Sequence, residues 1–140
     1  MKNIKYFIPS ILLMIFIFSL SNQTGEESGS LSATIVLWIQ NNLHITISEF
    51  VIRKGAHMSE YAVLCFTFLY GFYKSGCSIK QIIMYSILCS FLYACSDEMH
   101  QLYIGGRAGQ FADVLIDTSG AIIASTLYYL FYKFSKKQCS

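Results

Sequence analysis

Arg53, His57, Glu60 and Tyr61 fall at i, i+4, i+7 and i+8. That spacing puts them on one face of a helix, with Lys54 beside it. A second group, Ser96, Asp97, Glu98, His100 and Gln101, crowds within two helical turns. A third follows in GGRAGQFADVLID. There Gly105, Gly106 and Gly109 make a turn around Arg107, and Asp113 and Asp117, four apart, share a helix face. Cations of this kind hold anions, and the Arg fork suits phosphate. Glu60, Asp97 and Asp113 would position those cations. His57-x-x-Glu60 and Asp97-x-x-His100 also set imidazole and carboxylate one turn apart. Such pairs serve as oriented acid–base groups or as metal ligands on facing helices. His and acids coexist at membrane ends without a metal, so no metal or cofactor is expected.

These groups sit in an apolar chain. Its 140 residues are 54% hydrophobic and 13% charged, against ~25% charged in soluble domains. This points to a small integral membrane protein. The formal charge of +2 and the lack of a basic patch interleaved with aromatics exclude a nucleic-acid partner. Cys65, Cys77, Cys89, Cys95 and Cys139 are odd in number and contain no C-x-x-C, which gives neither a disulfide frame nor a zinc site. There is no G-x-x-x-x-G-K-[ST] loop and no G-x-S-x-G elbow.

Four apolar segments, at about 4–20, 57–73, 79–96 and 113–132, approach the ~20 residues that a helix needs to cross the hydrocarbon core. Gly76 breaks the chain between the second and third. Ser78 and Gln81 then form a capping box that restarts the helix. The expected fold is all-α: an integral membrane four-helix bundle, one domain over 1–140, with a short interfacial segment in the first outward loop. Lys2 and Lys5 at the front of the first segment, and the small residues Ser19 and Ser21 at cleavage offsets near its end, resemble a secretory signal. The apolar run is long for a signal's ~7–15-residue core, so the helix is expected to be retained.

Lys2, Lys5, Lys74, Lys80, Lys133, Lys136 and Lys137 would lie on one side of the membrane, and Arg53, Lys54 and Arg107 on the other. The richer side is expected to be cytoplasmic. This gives a multi-pass protein of the cell membrane with both termini inside and the 22–56 and 97–112 loops outside. In the first loop, 22–32 is polar and Gly/Ser-rich and is expected to be exposed. Leu31, Ile35, Trp38 and Ile39 recur at helical spacing. They fit a helix lying in the interface or one packed on the bundle. Thr46 and Glu49 form another capping-box pattern, so the next helix is expected to begin near 47.

Under this topology the ionisable groups converge on the outer leaflet. Charges at helix ends often only mark the interface or lock helices together, and Lys54, Glu98 and Tyr103 read that way. His57, Glu60, Asp97, Gln101, Arg107, Asp113 and Asp117 read as functional. Asp117 lies ~6 Å deeper than Asp113, a depth costing ~2.5–3.5 kcal/mol on insertion scales. Gly120 and Ala124 continue near its face as small-xxx-small, a pattern for close helix contact.

The ordered pattern Arg53, Lys54, His57, Glu60, Tyr61; Ser96, Asp97, Glu98, Gln101; Arg107, Gly109, Asp113, Asp117, Gly120 resembles that of the VanZ-like membrane proteins. Phe18, Ser19, Ser21 and Gln23 loosely match an upstream F-S-x-Q element. The family usually carries Asn where this chain has Asp117. The resemblance implies a role in sensitivity to teicoplanin-type glycopeptide antibiotics. The expected site is Arg53, Lys54, His57, Glu60, Tyr61, Ser96, Asp97, Glu98, Gln101, Arg107, Asp113 and Asp117. Its expected partners are membrane lipids, a lipid-linked wall precursor or the glycopeptide. A binding role is favoured over an intramembrane enzyme using His57 and Glu60 on a lipid-linked substrate, and over a membrane scaffold.

Overall fold

Side-chain caps fix where the helices begin. Thr24 and Glu27 cap each other's backbone N–H at 3.3 and 2.9 Å and start α2, Gly25–Leu43. Ser48 accepts from the Val51 N–H at 3.4 Å and starts α3, Glu49–Lys74. Ser78 and Gln81 form the expected box before α4, Ile79–Gln101. A 3-10 turn, Ile4–Phe7, leads into α1, Ile8–Ser21, and α5 is Phe111–Gln138. The computed structural model describes residues 3–106 and 109–138, and among these every regular element is helical.

The turn between α3 and α4 is a Schellman motif. The Gly76 N–H bonds to the Tyr73 carbonyl at 3.1 Å and the Cys77 N–H to the Phe72 carbonyl at 3.2 Å. Gly76 has φ 79°, a backbone state open to a residue without Cβ.

Three departures from the sequence reading have local causes. The Gly/Ser-rich stretch is helical from Gly25, because the Thr24–Glu27 box nucleates it. Ser48, and not Thr46, caps α3. The helices also run past the apolar stretches into their polar ends, since backbone bonding does not stop where hydropathy falls.

α3 touches each of the other four helices. Ile17, Tyr61, Leu64, Phe68, Ala94 and Val114 make one part of the core. Cys65, Leu69, Ile82, Ala121 and Ala124 make the other. The contact of α3 with α5 is close. A Cβ on Gly120 would lie 2.1 Å from the Met58 carbonyl oxygen, and Cys65 Sγ sits 3.2 Å from Ser125 Oγ. The small residues expected at this face do bring the backbones together.

The outer faces are apolar: Ile11, Leu12 and Ile15 on α1, Leu88 and Leu92 on α4, and Ile122 and Ile123 on α5 are exposed. Ile4–Ser21, Ile79–Gln101 and Phe111–Lys137 are long and apolar enough to cross a membrane, which fits a membrane protein. α3 carries Arg53, Lys54, His57 and Glu60 in its first half and turns apolar only from Tyr61. The four-span bundle is therefore matched in outline.

Two glycines test this packing. Gly120→Val is expected to lower stability by ~3 kcal/mol, because overpacking meets backbone there. Gly29→Ala, with nothing within 4 Å of the added Cβ, should raise it by ~0.5–1 kcal/mol. Thermal unfolding of the purified protein reads both. Equal shifts in the two variants would contradict the α3–α5 contact.

Candidate functional site

The end of α1, the start of α3, the end of α4 and the start of α5 come together at one end of the molecule. Ser21 reaches Asp97, Lys54 reaches Asp113, and the Gln110 backbone reaches Glu98. The start of α2 joins them through a 3.2 Å bond from the Gly25 N–H to the Gly105 carbonyl. A Cβ on Gly25 would meet the Gly106 carbonyl oxygen at 2.1 Å. The lysines at 5, 74, 80, 133, 136 and 137 belong to the opposite helix ends.

The rotational phase of α3 sorts its polar residues. Lys54, Met58, Tyr61 and Cys65 follow i, i+4, i+7 and i+11, and this face meets α5. Arg53, Ala56, His57 and Glu60 lie round the helix from it. They border α2 and the end of α1 in a cavity of about 160 Å³, whose other walls are Leu20, Gln23, Ser28, Leu31, Ser32, Ile35 and Ile52. A second cavity of about 270 Å³ is lined by Phe50, Arg53, Lys54, His57, Gln101, Gly106, Gln110 and Asp113.

Lys54 Nζ donates to Asp113 Oδ1, each side chain 18% exposed. Asp113 sits in the first turn of α5, where the helix dipole favours a negative charge. The pair ties the start of α3 to the start of α5. His57 Nδ1 lies 3.9 Å from Glu60 Oε2. Arg53 is half-buried and makes no ion pair among the described residues.

Deeper in, Asp97 Oδ2 accepts from Ser21 Oγ at 2.8 Å and from Gln101 Nε2 at 3.2 Å. Gln101 Nε2 also reaches Ser21 Oγ at 3.3 Å. Glu98 accepts the Gln110 N–H at 3.0 Å, which ties down the chain entering α5. Gly109 permits this approach, since a Cβ there would meet the Glu98 carbonyl oxygen at 2.5 Å. Tyr61 is buried near Asp97 and Asp117. Asp117 is 1% exposed and neither carboxylate oxygen has a hydrogen-bond partner among the described residues. Its electrostatic neighbours include Glu98, Asp97, Asp113 and Glu60.

Of the expected residues, Arg53, Lys54, His57, Gln101 and Asp113 share the larger cavity, and Tyr61, Asp97, Glu98 and Asp117 are buried in the same end of the bundle. Glu60 lines the smaller cavity. Ser96 is exposed and lines neither. Arg107 lies outside the described residues. His100 pairs with Asn22 Oδ1 at 2.9 Å and packs on Phe18, so it is turned towards α1. Among the described residues no three His, Cys, Asp or Glu side chains are placed to hold a metal ion.

Sequence reasoning gave no site role to Ser21, Gln23, Phe50 or Gln110. The signal for Ser21 and Gln23 was the F-S-x-Q match at the end of α1. Phe50 and Gln110 carried none.

Ser21 and Ser96 provide a direct contrast. Ser21→Ala removes a donor to a buried carboxylate and should cost ~1.5–3 kcal/mol. Ser96→Ala should stay within ~0.5 kcal/mol. Matched losses in thermal unfolding would contradict the Asp97 network.

No curated protein and no solved structure matches the chain. The family model described as VanZ/LLP1 matches residues 6–132. With nearly its whole length matched, and with the polar ends of four helices gathered as described, this chain belongs to the VanZ/LLP1 family.

Proposed function

We propose that the chain is a multi-pass membrane protein whose larger polar cavity faces outward, binds an anionic headgroup, and thereby lowers sensitivity to teicoplanin-type glycopeptides. The observation that carries this is Arg53. It is a half-buried guanidinium on the wall of a 270 Å³ cavity, without an ion pair among the described residues. A cation so situated favours an anion, and its planar fork matches phosphate or carboxylate oxygens. Lys54 has its charge taken up by Asp113 and shapes the cavity wall. The ligand would be an anionic lipid, a lipid-linked wall precursor or the glycopeptide itself.

Lysine placement supports the orientation. The end away from the cavity carries the lysines at 5, 74, 80, 133, 136 and 137, as a cytoplasmic side does. α3 would then be a fourth span, its polar first half lying at the outer headgroups and its apolar second half in the core. Both termini would be cytoplasmic.

A second reading is catalysis on a lipid-linked substrate, and the 3.9 Å approach of His57 to Glu60 favours it. An acid–base pair of this kind contributes ~10²–10⁴-fold to rate. The two readings separate by mutation: binding depends on Arg53, and catalysis on His57.

Expression in a glycopeptide-sensitive host tests the proposal. The wild-type chain should raise the inhibitory concentration of teicoplanin, and Arg53→Gln should return it to the vector level at equal membrane abundance. Unchanged sensitivity with wild-type protein present in the membrane would overturn the reading. Alkaline phosphatase fused after Tyr103 should be active and fused after Ser75 inactive; the reverse pattern would overturn the orientation.

A further inference from the structure

We propose that the ligand is a phosphate monoester carrying a hydrocarbon chain: its phosphate sits on Arg53 in the larger cavity, and the first carbons of its chain enter the smaller cavity between α1, α2 and α3. This rests on the reading of Arg53 as the anion holder and names the class of molecule it holds.

The two cavities differ in kind and meet at shared residues. Arg53 and His57 line both. The larger presents Lys54, Gln101, Gln110 and Asp113. The smaller is walled by Leu20 of α1, Leu31 and Ile35 of α2, and Ile52 and Ala56 of α3, with Gln23, Ser28 and Glu60 also on its wall. Ser32, 6% exposed, also faces it, but its hydroxyl donates to the Ser28 carbonyl at 3.0 Å and needs nothing from a ligand. At about 160 Å³, the smaller cavity is near the ~150 Å³ that accepts a benzene-sized apolar group. It has room for about six carbons.

An inorganic anion would use only the polar cavity and leave the apolar one without a role. A plain hydrocarbon would have no use for Arg53. An amphiphile uses both, with its polar-to-apolar junction at the wall formed by Arg53 and His57. Leu31 and Ile35 line the smaller cavity and are also exposed outward. The rest of a longer chain can therefore leave along the apolar face of α2, towards Trp38, into lipid.

Phosphate is preferred over carboxylate on the number of acceptor oxygens it presents. Beyond the two oxygens that take the Arg53 fork, a phosphate has a third for the polar wall of Lys54, Gln101 and Gln110.

The test is calorimetric titration of the full chain in nanodiscs of neutral phosphatidylcholine. The probes are inorganic phosphate, butyl phosphate, hexyl phosphate and hexanoate. Affinity should rise about tenfold from butyl to hexyl phosphate, and hexanoate should bind more weakly than hexyl phosphate. In Ser32→Phe, or the milder Ser32→Leu if the first does not fold, the ratio of hexyl to inorganic phosphate affinity should fall towards one.

Inorganic phosphate binding as tightly as hexyl phosphate would overturn the chain-binding cavity while leaving the anion site standing. Failure of all four probes would overturn both. A Ser32 variant that keeps the chain-length dependence would overturn the placement of the tail, and equal hexanoate affinity would overturn the choice of phosphate. Competition identifies the source. Phosphatidic acid in the nanodisc displacing hexyl phosphate assigns a glycerophospholipid, and displacement only by a polyprenyl phosphate assigns a single-chain lipid. Displacement by neither would overturn the proposal.

Discussion

The approach of α5 to α3 governs the rest of this structure. Gly120 lets the two backbones meet at the Met58 carbonyl. Cys65 and Ser125 continue the contact on one side, and Lys54 with Asp113 closes it at the polar end. The ion pair is half-buried, and such pairs gain little net stability against hydrophobic replacement. Its effect lies in register. With Gly120 seated on Met58, Asp113 falls two turns nearer the start of α5 and Lys54 about one turn nearer the start of α3, within reach of its long side chain, so the pair holds α5 in rotation as well as in height.

Once α3 is fixed in that phase, its remaining polar residues have no freedom. The face at 54, 58, 61 and 65 is used by α5. Arg53, His57 and Glu60 are thereby turned towards α2 and the end of α1. The chain accepts these charges at the end of an apolar helix because neighbouring helices supply most of the compensation. Asp113 answers Lys54, Ser21 and Gln101 answer Asp97, and the Gln110 backbone answers Glu98. Arg53 and Asp117 are the exceptions among the described residues, one on the cavity wall and one buried. Polar groups kept inside a membrane bundle without local compensation are ordinarily kept for function.

Much of this was legible in the sequence, because the signals were local or periodic. The apolar stretches marked α1, α4 and α5. Gly76 and the Ser78–Gln81 box marked the hairpin, and small residues marked the α5 face. The gathering of carboxylates and cations at one end followed from helix direction alone. Contacts between distant residues were not legible. Nothing near Ser21 in the chain announces a bond to Asp97, 76 positions away. The choice of Lys54 over Arg53 for Asp113 turns on about 100° of helix rotation, which only the seat of Gly120 on Met58 decides. The extent of α2 was readable but outweighed: Thr24-x-x-Glu27 is a capping box, and the glycines and serines after it suggested loop.

Charge exchange between positions 54 and 113 tests the central contact most directly. Thermal unfolding of Lys54→Asp, Asp113→Lys and the double exchange in purified protein should show both single variants well below wild type, since each sets like charges together. The double exchange should recover at least half of the larger loss. A double variant no more stable than the worse single one would mean that these side chains do not meet, and the arrangement of α3, α5 and the cavity between them would fall with that result.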